Sequence, residues 1–210
     1  VKKVLLLALF MLMISGSISA GDEYLEVTAS PDRKISLAIL PPVTQGGGEN
    51  REIPREVADA LRFDMELTGR YTILDTSAAS GAGIRPGEFD FAPWRAVGAE
   101  LLLKSGYTLS GSQVILECRL YDVASGKQLL AKRFSGGMRD IRRMAHTFSD
   151  EILLFATNEK GPFTGKIAFV SKRSGNKEIY LMDYDGHHVQ RITANRSINL
   201  NPDFSPSGRE

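Results

Sequence analysis

Residues 101–134, LLLKSGYTLSGSQVILECRLYDVASGKQLLAKRF, decide the fold. Three apolar runs, 101–107, 113–123 and 128–134, are separated by little more than Gly111-Ser112 and Ser125-Gly126. Runs rich in Leu, Val, Ile, Tyr and Phe between glycine-containing pairs read as strands joined by tight turns. Parallel neighbours need a crossover of a dozen residues or more, so these strands must pair antiparallel. Cys118, the only cysteine, lies inside the middle run and reads as a small buried hydrophobe. A single cysteine leaves no internal disulfide.

The elements on either side are helices and further strands. Residues 35–40 form an aliphatic, β-branched run closed by Pro41-Pro42, which suits a buried strand. Gly46-Gly47-Gly48 reads as a flexible loop. Ile53, Val57, Ala60, Leu61 and Met65 recur at helical spacing and predict a helix over 53–68, stopped by Gly69. Residues 71–74 form a strand, 77–87 a loop rich in Ser, Ala and Gly, and 93–98 a short helix carrying Trp94. After the three-strand meander, a second long helix spans 139–156, with Ile141, Ala145, Phe148 and Ile152 on its buried face. The order predicts an α/β domain over 35–160, a mixed sheet with two long helices.

Gly161, Pro162 and Gly165 then interrupt the pattern, and helical periodicity stops. Residues 166–171, 178–182 and 189–192 read as short strands with turns at Gly175-Asn176 and Asp185-Gly186. The stretch 165–210 is close in length to the ~40–45 residues of a four-stranded propeller blade. One blade leaves bare faces and open edges, which propellers remove by closing a ring. The expectation is the first blade of an all-β propeller that continues past Glu210.

The amino terminus reads as an export signal. Lys2 and Lys3 precede an unbroken apolar stretch, 4–14, and a small, weakly polar stretch, 15–20. The apolar part is shorter than the ~20 residues of helix that cross a bilayer. Residues 1–20 are therefore expected to be a signal peptide cut after Ala20. Residues 21–34 read as an arm with a candidate partner-binding segment, Tyr24, Leu25, Glu26, Val27 and Thr28. Such a segment either tucks into its own domain or adds a strand to a partner.

Little in the chain points to chemistry. The 26 basic and 25 acidic side chains nearly balance, so charge gives no argument for nucleic acid. His146, His187 and His188 have no cysteine or carboxylate at a metal-site spacing. His146 is expected to be structural, and His187 and His188 to be solvated. Gly46-Gly47-Gly48 lacks the Lys-Ser/Thr of a phosphate loop. Ser174 and Lys177 fall in a hairpin turn. Asp183-Tyr184-Asp185-Gly186 opens like a calcium loop but lacks the later ligands. No Gly-x-Ser-x-Gly elbow is present. No catalytic, cofactor-binding or metal-binding residue is assigned, and no cofactor is expected.

Several motifs, taken in order, resemble the TolB family, the periplasmic component of the Tol-Pal system of Gram-negative bacteria. They are Ala38-Ile39-Leu40-Pro41, Trp94-Arg95-Ala96-Val97-Gly98-Ala99, Arg119-Leu120-Tyr121-Asp122-Val123 and Arg143-Met144-Ala145-His146 with Ser149-Asp150-Glu151-Ile152. Lys166-Ile167-Ala168-Phe169-Val170-Ser171 and Glu178-Ile179-Tyr180-Leu181-Met182-Asp183 match the family's propeller repeat. The resemblance implies a periplasmic, monomeric, non-enzymatic adaptor with a six-bladed propeller. It also implies that the propeller meets a Pal-like lipoprotein and the amino-terminal arm a TolA-like inner-membrane protein. Roles in outer-membrane integrity, constriction at cell division and protein import or translocation follow from it. The competing expectation is an exported peptidase whose hydrolase domain lies beyond Glu210.

Overall fold

Period-two alternation in the long strands sets the architecture. In β4 (Leu101–Ser110) and β5 (Gln113–Asp122), Leu103, Tyr107, Val114, Leu116, Cys118 and Leu120 face one side, while Leu102 and Tyr121 face the other. The computed structural model describes residues 33–76 and 83–206. The expected signal peptide, the segment Tyr24 to Thr28, most of the 77–87 loop and the last four residues lie outside the described residues.

β4, β5 and β6 (Gln128–Gly137) form the antiparallel meander, in register from Leu101↔Asp122 to Ser110↔Gln113 and from Gln113↔Gly137 onward. β1 (Ile35–Ile39) runs parallel to both β3 (Tyr71–Leu74) and β4, giving the order β3-β1-β4-β5-β6. The sheet is therefore mixed. After Pro41-Pro42 the chain resumes as β2 (Val43–Gly46), parallel to β4 at Gly106 to Thr108. Neither proline can donate to a ladder, so β1 and β2 meet β4 as two separate pieces.

β2 corrects the reading of Gly46-Gly47-Gly48 as a flexible loop. Gly46 ends a strand, and Gly47 has φ +79°. A Cβ at Gly47 would lie 1.8 Å from the Leu109 carbonyl oxygen. Close backbone approach, as well as conformation, demands glycine there.

α1 (Glu52–Leu67) and α3 (Ile141–Thr157) cover one face of the sheet. Asn50 Oδ1 accepts from the N–H groups of Glu52 and Ile53, and the Tyr107 hydroxyl accepts from the Asn50 N–H at 2.8 Å. The first turn of α1 is thus capped and tied to β4. Gly69, at φ +67°, ends the helix by donating to the Glu66 carbonyl. Phe148, fully buried, packs edge-on to Phe134 in this layer. The opposite face holds a smaller cluster in which α2 (Ala92–Ala96) buries Trp94 against Ala38, Leu102 and Tyr121.

α3 begins after a single 3₁₀ turn, Met138–Asp140, and ends at Asn158 in the left-handed conformation. Beyond it, β7 (Lys166–Ser174), β8 (Asn176–Asp183) and β9 (Gln190–Arg191) form a separate antiparallel sheet. β9 is shorter than the 189–192 run suggested. Ile192 already leaves the ladder, although its N–H still reaches the Ile179 carbonyl. Among the described residues no helix is long and apolar enough to cross a membrane.

Candidate functional site

Three polar residues of α3, spaced four apart, are buried. Arg142, His146 and Asp150 lie one turn above another on a single stripe. Ile141, Ala145, Phe148 and Ile152 occupy the neighbouring stripe and fill the core. The polar stripe meets the chain that connects the two sheets and the turn that joins β8 to β9.

Asp150 organises the connection. Its Oδ1 accepts from the Phe163 N–H at 2.9 Å, and its Oδ2 accepts from the Thr164 N–H at 3.2 Å and the Thr164 hydroxyl at 2.8 Å. Gly161 lets the chain pass close: a Cβ there would stand 2.3 Å from Asp150 Oδ1. The result seats Phe163 in the core, 2% exposed, where the Tyr184 ring meets it edge-on at 6.0 Å.

Asp185 organises the turn. Its carboxylate belongs to the β-module yet is 1% exposed, because α3 covers it. Oδ2 accepts from Arg142 Nε at 2.8 Å, from Arg142 Nη2, and from His146 Nε2 at 3.0 Å. Oδ1 accepts from the His187 N–H at 3.1 Å. Burial alone raises an aspartate. Here Arg142, the His187 N–H and His146 outweigh that effect and hold the Asp185 carboxyl at about 2.

The cluster continues into α1. His146 Nδ1 lies 2.8 Å from Asp64 Oδ2, and Asp64 is fully buried among Ala60, Leu61 and Met65. Arg142 Nη1 donates to Glu56 Oε2 at 2.8 Å. One guanidinium and one imidazole thus tie two helices and a β-turn together. A buried charge of this kind is stable only when its partners are in place.

The histidines depart in part from the sequence expectation. His146 is buried, as a structural residue should be, but it faces two carboxylates from distant parts of the chain. His187 and His188 are about half exposed rather than free in solvent: His187 Nδ1 stands 3.2 Å from Asp185 and His188 Nδ1 2.6 Å from Asp183. Asp183 and Asp185 serve these contacts, and Lys166 also pairs with Asp183. Among the described residues no group of three His, Cys, Asp or Glu side chains is placed to hold a metal ion. Ser174 and Lys177 bracket the Gly175 turn between β7 and β8. Cys118 is fully buried, and burial pushes its thiol well above the usual range.

These features define a class: a mixed α/β domain joined to a separate antiparallel β-module through a short connection, anchored by the buried Phe163, and a charge cluster. The family model for the TolB amino-terminal domain matches residues 23–129. The chain belongs to the TolB family.

Two relatives, the Tol-Pal system protein TolB of Geobacter metallireducens and that of Geobacter sulfurreducens, are each 55% identical over 207 residues. Each alignment covers 98% of this chain and 48% of the relative. The chain thus spans about half the length of the curated relatives it matches. The crystal structure of TolB from Acinetobacter baumannii shares the fold, with a TM-score of 0.65 at 22% identity, over 85% of this chain and 43% of that one.

Proposed function

We propose that this chain acts as a periplasmic protein-binding adaptor of the Tol-Pal system and performs no chemistry of its own. The observation that carries this reading is the 55% identity, over 98% of the chain, to proteins named for that system. In this reading residues 1–20 direct export and are removed after Ala20. The arm, 21–34, then carries Tyr24, Leu25, Glu26, Val27 and Thr28 to a TolA-like inner-membrane partner as an added strand. Residues 35–160 are the rigid α/β body, and 165–210 are the first blade of a propeller that receives a Pal-like outer-membrane lipoprotein. Joining the two partners supports outer-membrane integrity and constriction at division.

The build of the described part supports an adaptor. The buried charges of Asp64, Arg142, His146 and Asp185 tie two helices and a β-turn together, which suits a body that holds two binding surfaces in a set relation. The test is a calorimetric titration of the mature protein against the periplasmic domain of a TolA-like partner, with and without residues 22–32. Stopping the deletion at residue 32 keeps the 2.8 Å ion pair between Arg33 and Glu100. The deletion is expected to weaken binding at least tenfold and leave the thermal unfolding curve unchanged. Equal affinity for both forms would remove the arm from the reading.

A further inference from the structure

His146 bridges two modules through its two ring nitrogens. Nδ1 faces Asp64 on α1 and Nε2 faces Asp185 on the β8–β9 turn, at 2.8 and 3.0 Å. An ionised carboxylate only accepts hydrogen bonds, so both nitrogens must donate and the ring must carry both protons. Neutral imidazole can satisfy one of the two partners. The other contact then sets a ring lone pair against a carboxylate oxygen in a dry site, where repulsion is little screened.

We propose that the Asp64–His146–Asp185 bridge is a proton-sensitive latch that holds the β7–β9 sheet against the α/β domain and loosens when His146 gives up a proton. All charged neighbours enter the balance. From α1 come Asp64 and Glu56. From α3 come Arg142, Arg143 and Asp150, the last engaged by the Phe163 N–H and the Thr164 hydroxyl. The β-module contributes Asp185, His187, Asp183, His188 and Lys166. Lys166 and Asp183 neutralise each other, and Arg143 pairs with Asp140. Near the ring that leaves three carboxylates, of Asp64, Glu56 and Asp185, against Arg142 and the imidazolium. Losing the imidazolium doubles the net negative charge of this group. Arg142 still holds Asp185, so the junction loosens without dissociating.

The direction of the pH response follows. Burial works against the imidazolium, but Asp64 and Asp185 outweigh it and hold His146 above its ordinary 6.5. Burial also pushes the Asp64 carboxyl up, and His146 opposes that push, so losing the imidazolium removes the opposition. In the loosened state the ring returns to roughly 6.5. The latch is therefore fully set below about pH 6.5 and weakens as pH rises through the raised value. Between the two values one proton is linked to opening. The loosened-to-latched ratio then grows about tenfold per pH unit.

The test is a distance measurement between spin labels at Arg139→Cys, before α3, and Lys172→Cys, on β7, in the whole chain. Cys118 is fully buried and stays unlabelled. From about pH 5.5 to 9.5, the narrow single distance at the acid end should give way to a second, broader population. His146→Gln should abolish the pH response. Asp185→Asn, whose side chain lies at a turn outside the α/β core, should show the second population at every pH. It decides the matter if His146→Gln does not fold. An unchanged distance across the range, or a wild-type pH response in either variant, overturns the latch.

Discussion

Replacing Asp150 by Ala tests the link between α3 and the connecting chain. The substitution removes an acceptor that serves three donors at once: the N–H groups of Phe163 and Thr164 and the Thr164 hydroxyl. The three do not weigh equally. Phe163 is buried, so its N–H is orphaned and costs about 2 kcal/mol. Thr164 is exposed, water replaces its lost partner, and its two contacts together cost roughly 1 kcal/mol. The expected loss is about 3 kcal/mol, which lowers Tm by roughly 6–12 °C in a domain of this size. Circular dichroism melts give Tm, and urea titrations give the free energy at unchanged m. Asp150→Asn keeps one acceptor oxygen for Phe163 and should lose only about 1 kcal/mol. An Ala variant within about 0.5 kcal/mol of wild type, or an Asn variant as damaged as the Ala variant, would refute the assignment.

Two further outcomes follow from the same structure. Phe148→Ala empties the centre of the layer between α3 and the meander, so urea unfolding should show a loss of about 3–5 kcal/mol. Asp185, held at about 2, contributes stability that is present above its unfolded value, roughly 3.9, and is lost as pH falls through about 2. In acid titrations followed by fluorescence of Trp94 and the near-ultraviolet signal, Asp185→Asn should therefore be less stable than wild type at neutral pH. The difference, about 2 kcal/mol, should vanish near pH 2.

The legible part of the fold is the part that periodicity controls. The stripe Ile53, Val57, Ala60, Leu61 and Met65 located α1 because burial of one face needs that spacing whatever the helix packs on. The meander was equally plain, since its turns are too short for any other pairing. β2 was hidden because Val43 to Gly46 carries no apolar alternation, and its pairing with β4 is purely tertiary. The charge cluster was hidden because its members are far apart in sequence. Asp64 stands 82 positions from His146, and Asp185 stands 39. A weaker signal was present for both helices. Asp64 interrupts an otherwise apolar stripe, and Arg142, His146 and Asp150 repeat at four-residue steps beside one. A carboxylate on a buried face needs a partner, so such interruptions mark where another element must dock.

A double-mutant cycle on Arg142 and Asp185 tests most directly whether the β-module is fastened to α3 by buried charge. Their side chains are 7% and 1% exposed. Arg142→Ala, Asp185→Asn and the double variant, each unfolded in urea, isolate the pair. A coupling energy of about 1.5 kcal/mol or more is expected. A coupling below about 0.5 kcal/mol, the level of independent or surface pairs, would contradict it.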